Sequence, residues 1–267
     1  MDNPKPNITV PVDLANPGQF FACCGLLELA DRLWPGAEGW FSGDKFSISS
    51  ANAKCDLAIL LRAFSSAAVD QVDSNDSAAS PLRLRLTTTA ILLDWWRDEA
   101  AGGQRLKTWA GRQSGPQIFR LMKARVLEAP PNDPFGFAAA IFDGKDGKAR
   151  KKTTSPFYFD SRRAGTSLDA GFSADEQQMS VREYPVVEAL AMVGLQRCRP
   201  RVEESATRPT FAYTAWAEHL GASTVPSVVC GVVKFPSCGI YRFTRPSRGG
   251  QYVSMFTRAT RERSSHV

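Results

Sequence analysis

Histidine is the scarcest reactive side chain of this sequence: only His219 and His266 are present. Two imidazoles do not suffice for a His-ligated metal cluster or an HD-type nuclease centre, so chemistry of that kind is not expected. Cysteine is sparse and scattered, at positions 23, 24, 55, 198, 230 and 238, and no Cys-x-x-Cys pair exists to nucleate a metal site. Reduced thiols are expected, with no metal and no cofactor. No apolar run approaches the roughly 18 residues of a membrane span, and the N-terminus has no basic-apolar-cleavage pattern of a secretory signal. A cytoplasmic protein without a membrane partner is expected. A phosphate-cradling P-loop is also missing. The glycines around Lys145 lack its spacing and no Gly-Lys-Ser/Thr ending follows them, which removes nucleotide hydrolysis.

What is present is a chain of 267 residues, long enough for one large or two intimately packed domains. The pattern predicts an α+β fold, a mixed body with mainly antiparallel sheet, a few packed amphipathic helices and no classical nucleotide-binding fold. Charge distinguishes three sections. Residues 1–102, an α+β unit, carry −5; residues 103–163 carry +8; residues 164–267, a helix followed by β-rich chain, carry +3. A field concentrated on the middle of a neutral-to-acidic scaffold suits phosphate-backbone binding, because each neutralised phosphate releases condensed counterions. A solvated basic surface loop would look the same in the sequence.

The best-specified stretch is Asn16 to Trp34. Asn16 can cap a helix, Pro17 suits the first helical position, and Gln19 can reach back as in a capping box. Phe20, Cys23, Cys24, Leu27, Ala30 and Leu33 recur at helical steps, with Glu28, Asp31 and Arg32 on the other side, and Pro35-Gly36 ends the run. An amphipathic helix docked on a sheet is expected. Around it, Ile8–Val12 reads as an edge strand, Trp40-Phe41 and Lys45–Ser49 as a hairpin, and Asp56–Phe64 as a second helix. Ser65–Ser80 reads as loop or short solvated helix. Leu82, Leu84 and Leu86 alternate with Arg83 and Arg85, and Ile91–Trp96 is the expected hairpin partner; the arginine face either contacts RNA or pairs with Asp94, Asp98 and Glu99.

The basic candidates begin near residue 112. Trp109 and Arg112 flank a loop containing Gln113, just before a helix from Pro116 to about Glu128 that Ser114 or Gly115 can cap. Arg112 and Gln113 suit phosphates or base edges there, unless the loop merely links elements. Lys145, Lys148, Arg150, Lys151 and Lys152 put five cations in eight residues beside Gly144 and Gly147, a composition suited to gripping a nucleic-acid backbone. Phe157-Tyr158-Phe159 leads to Arg162 and Arg163, an aromatic and arginine mixture that stacks on single-stranded bases or else is core. A third helix is expected over Pro185–Leu195. Arg197, Arg199 and Arg201 then alternate as in an extended segment facing RNA, with Glu203 and Glu204 able to quench them. Strands are expected over Thr210–Trp216, Val228–Val233, Gly239–Arg245 and Tyr252–Arg258. Arg248 sits at the glycine-flanked tip joining the last two, where an arginine either enters a groove or only solubilises. His219, beside Glu218, reads as structural.

Asn16–Ala30, preceded by Val10-Pro11-Val12-Asp13 and followed by Ala37-Glu38-Gly39-Trp40-Phe41, resembles the N-terminus of a CRISPR-associated family from type I-U (I-G) systems. That family is the divergent large-subunit-like component of the crRNA-guided surveillance complex, Cascade. The resemblance covers about residues 10 to 41. It implies a non-catalytic subunit that binds crRNA near its 5′ handle and target double-stranded DNA, recognises the PAM and supports R-loop formation. Its implied partners are the other Cascade subunits and a transiently recruited helicase-nuclease. A metal-independent crRNA-processing RNase using Tyr, Lys or His219 is the competing class, and an RRM-like backbone subunit of the same complex is a third.

Overall fold

The computed structural model describes residues 5–73, 79–109, 113–140, 142–143, 152–153, 156–162, 182–203, 209–246 and 254–262. In chain order the first half comprises β1 (Ile8–Pro11), α1 (Pro17–Leu33), β2 (Glu38–Ser42), β3 (Lys45–Ser49), α2 (Leu57–Ser66), β4 (Ala68–Gln71), β5 (Leu82–Arg85), β6 (Ala90–Leu93), α3 (Gly103–Leu106) and α4 (Gly115–Ala124). The second half comprises β7 (Ala139–Ala140), β8 (Phe142–Asp143), β9 (Lys152–Thr153), β10 (Arg182–Glu183), α5 (Pro185–Gly194), β11 (Arg201–Glu203), β12 (Thr210–Ala215), β13 (Leu220–Gly221), α6 (Val225–Val229), β14 (Gly239–Thr244) and β15 (Thr260–Arg261). Every strand pairing among the described residues is antiparallel. The fold is α+β, with sheets ordered β1-β3-β2-β13, β4-β5-β6 and β11-β12-β14-β15 and two small two-stranded sheets, β7 with β10 and β8 with β9.

The start of α1 follows from its sequence. The Asn16 side chain accepts from the Gly18 N–H, and Pro17 occupies the first turn. Gln19 does reach back, but to the Asp13 N–H at 2.7 Å rather than to the cap residue, and so ties the incoming strand to the helix. The expected one-sided burial is corrected: α1 is buried on all faces from Pro17 to Ala30. One side meets the sheets through Phe20, stacked on Tyr213 with ring centroids 4.3 Å apart. Across another face lies α5, where a Cβ added at Gly25 would come within 2.1 Å of the Leu190 carbonyl oxygen and one at Gly194 within 2.0 Å of the Phe21 carbonyl oxygen. Two glycines thus let the helix backbones touch, which no larger residue permits at this spacing. Glu28 is buried on α1 because Arg32 (2.8 Å) and Arg197 (3.1 Å) both pair with it.

Elsewhere three expectations change. The Ser65–Ser80 stretch contains β4, whose ladder with β5 aligns Val69 with Leu84. The strand expected over Val228–Val233 is instead the short helix α6, with Pro226 in its first turn. In the last stretch β15 pairs with Tyr241 and Arg242; the strand expected over Tyr252–Arg258 lies partly outside the described residues, and within it the Thr257 N–H donates to the Thr244 carbonyl at 3.0 Å. The helix after residue 114 is shorter than expected, ending at Ala124 before a single 3₁₀ turn over Val126–Glu128, and Ser114 caps it by accepting from the Gln117 N–H at 3.3 Å.

Candidate nucleic-acid interface

Of the ten basic and amide candidates, Arg112, Lys145, Lys148, Arg150, Lys151, Arg163 and Arg248 lie outside the described residues. Lys152 opens β9, and its backbone pairs with Asp143 of β8 in register. Gln113 is half-buried beside the Ser114 cap. Trp109, expected at the rim of that loop, is buried among Trp95, Trp96 and Phe157.

Arg162 is drawn into the protein's own framework. Its Nε donates to the fully buried carboxylate of Asp160 at 2.9 Å, its Nη2 donates to the Phe135 carbonyl at 2.7 Å, and its guanidinium lies 3.3 Å from the Tyr184 ring centroid. Asp160 in turn accepts from the Asn16 amide at 2.9 Å, and the Asn16 carbonyl oxygen accepts from the Gly18 and Ser161 N–H groups. Glu188 of α5 accepts from the Phe159 and Asp160 N–H groups. This polar knot joins the start of α1, residues 156–162 and the start of α5. Of the two readings of Phe157 and Phe159, the core one is observed: both rings are wholly buried and stack on each other at 5.2 Å. A buried carboxylate needs the charge and donors that Arg162 supplies, so this arginine is spent on the fold.

The lesser arginine candidates do converge on one place. Arg197, Arg199 and Arg201 line an open cleft of about 820 Å³ together with Arg105 of α3, where it meets the Asp98–Gly102 loop and the end of α6. Each arginine of the alternating triplet has a carboxylate partner: Glu28 for Arg197, Asp98 for Arg199 and Glu203 for Arg201. Glu203 therefore does act on Arg201, as the sequence allowed, while the other two partners come from distant elements. The Ala101 backbone N–H, and after it the Arg199 guanidinium, hold the Asp98 carboxyl below the usual carboxylate range. Glu203 is held low as well, chiefly by its hydrogen bond from Arg242; burial opposes this, and Arg201 adds a smaller lowering. Gly231, at φ +77°, turns the chain after α6 so closely over Arg201 that a Cβ there would stand 3.1 Å from its Nη1. The apolar part of the lining is Val202, Pro226 and Val232, the last 79 % exposed.

Arg85 pairs with Asp70 of β4, not with Asp94, Asp98 or Glu99. Asp94 and Gln196 bond each other, through Gln196 Nε2 to Asp94 Oδ1 at 2.8 Å. His219 stacks on Trp40 with ring centroids 3.8 Å apart and planes 11° from parallel. Among the described residues no group of three or more His, Cys, Asp or Glu side chains is placed to hold a metal ion, and no helix is long and apolar enough to cross a membrane. No protein-family model matches the chain, and no curated protein matches it either.

Proposed function

We propose that the protein is a non-catalytic, large-subunit-like component of a type I crRNA-guided surveillance complex. In this reading it binds the crRNA 5′-handle region and target DNA, recognises the PAM, supports R-loop formation and presents the complex to a helicase-nuclease. The observation that carries the reading is the +8 charge of residues 103–163, with five of its cations at 145–152. In guide-directed recognition base pairing reads the target, and the protein's share is the backbone and the flanking motif, for which clustered cations suffice. The N-terminal resemblance over residues 10–41 supplies the type of complex.

Replacing Lys148, Arg150, Lys151 and Lys152 together by alanine tests this. Thermal unfolding should be unchanged, duplex capture should weaken, and the slope of log affinity against log salt should flatten by about 0.9 for each phosphate no longer neutralised. An unaltered slope removes the basic run from the interface. Cleavage of repeat RNA by purified protein in the absence of metal would replace the reading with the RNase.

A further inference from the structure

We propose that the arginine-lined cleft is a second nucleic-acid site that takes one unstacked nucleotide of a single strand. The phosphate lies on the Arg197, Arg199 and Arg201 guanidinium groups, and the base lies against Val202, Pro226 and Val232. The proposal shares with the proposed function the premise that the ligand is a nucleic acid, and it uses none of the residues of the basic run.

Three observations carry it. The arginines are already held in place: Arg197 by Glu28 through Nη1, Arg201 by Glu203 through Nη2, and Arg199 by Asp98 and the Gln196 carbonyl. A guanidinium has five N–H donors in a fixed fork, so bonding through one or two of them orients the group while leaving donors for a phosphate. The Asp98 side chain is partly exposed, so its carboxylate can turn to water when a phosphate replaces it, while Arg242 keeps Glu203 paired when a phosphate takes Arg201. Second, the cleft's volume of about 820 Å³ lies within the range of pockets that enclose a single small ligand. A duplex keeps its bases stacked inside and would offer this concavity only its backbone. Third, the lining is of two kinds, arginines and the apolar Val202, Pro226 and Val232, and a nucleotide released from its stack has the matching pair of surfaces. An acidic peptide would satisfy the arginines but has no flat face for Val232, which stands in solvent at the mouth.

The test uses the full chain, a fluorescein-labelled oligouridylate, the same sequence as a duplex, and a polyglutamate competitor. Val232→Asp disturbs no buried packing and sets a negative charge at the mouth. Oligouridylate affinity should fall about fivefold, the scale of one unit charge placed near a phosphate at a protein surface. Duplex affinity should be unchanged. Arg199→Lys keeps the charge and loses the fork, and single-strand affinity should again fall. Unchanged oligouridylate binding in both variants, with unfolding temperatures equal to the parent's, overturns the proposal. Displacement of the oligouridylate by polyglutamate at equal charge concentration also overturns it, in favour of an acidic protein segment. Loss of all binding in the four-alanine variant with no effect of Val232→Asp leaves the basic run standing and sinks the cleft; the reverse pattern sinks the basic run and leaves the cleft.

Discussion

The crossing of α1 with α5 and the cleft beside it treat the same two helices in opposite ways. At the crossing, Gly25 and Gly194 bring backbone against backbone, so the helices admit one relative position. At the cleft, just past the end of α5, the chain carries arginines joined to carboxylates from α1, from the loop after β6 and from β11. The first region gains its definition from shape, the second from charge pairs that water can enter. Glu28 belongs to both, buried on α1 yet bonded to Arg197 at the rim. A rigid crossing beneath exchangeable ion pairs is an arrangement in which ligand binding can rearrange the rim without moving the frame.

The hardest way to break this contrast is at the crossing. Gly25→Val should abolish cooperative folding, because its side chain would occupy the position of the Leu190 carbonyl and the helices cannot both separate and keep Glu28 paired. A normal urea transition would refute close backbone packing as the basis of the region. Next, Arg162→Ala strands the Asp160 carboxylate in the polar knot, and a loss of about 3 kcal/mol in urea unfolding is expected. The rim should respond to acid. Asp98 and Glu203 have carboxyl groups held low in the folded protein, so the stability they add is complete above the ordinary carboxylate range and is lost as pH falls through their depressed values. Asp98→Asn should therefore shallow the acid limb of a stability-against-pH curve, whereas a curve superimposable on the parent's would deny the Arg199 pair any part in it. Smallest of all, Arg85→Ala should shift stability by less than about 0.5 kcal/mol, since both partners of its bridge to Asp70 are well exposed.

The sequence made the local events readable and the long-range ones not. Asn16, Pro17 and Ser114 act where helix-capping rules put them, and the hairpin of β2 and β3 turns at Gly43 as its spacing required. The burial of α1 from Pro17 to Ala30 was hidden because Glu28 shares a polar face with Asp31 and Arg32, which are half-buried. Glu28 is covered where Arg197, far along the chain, pairs with it. Val228 and Val229 read as strand by their branching, and Pro226 was the available signal for a helix start. β4 lacks apolar periodicity of its own and exists through its ladder with β5. Of the interface, the alternation of Arg197, Arg199 and Arg201 was visible, but Asp98, Arg105 and Val232, which complete the cleft with them, are brought there by folding alone.

The return of the last described segment to the first has a consequence for synthesis. The Ala259 N–H donates to the Ala15 carbonyl, Arg258 pairs with Asp13, and the Phe256 ring closes on Phe21, Phe159 and Phe243. A nascent chain thus emerges from the ribosome with α1 well ahead of residues that cover it. Until residue 256 has been translated, Phe21 has no complete shelter, and ribosome-bound chains stopped before that point should be clients of holding chaperones.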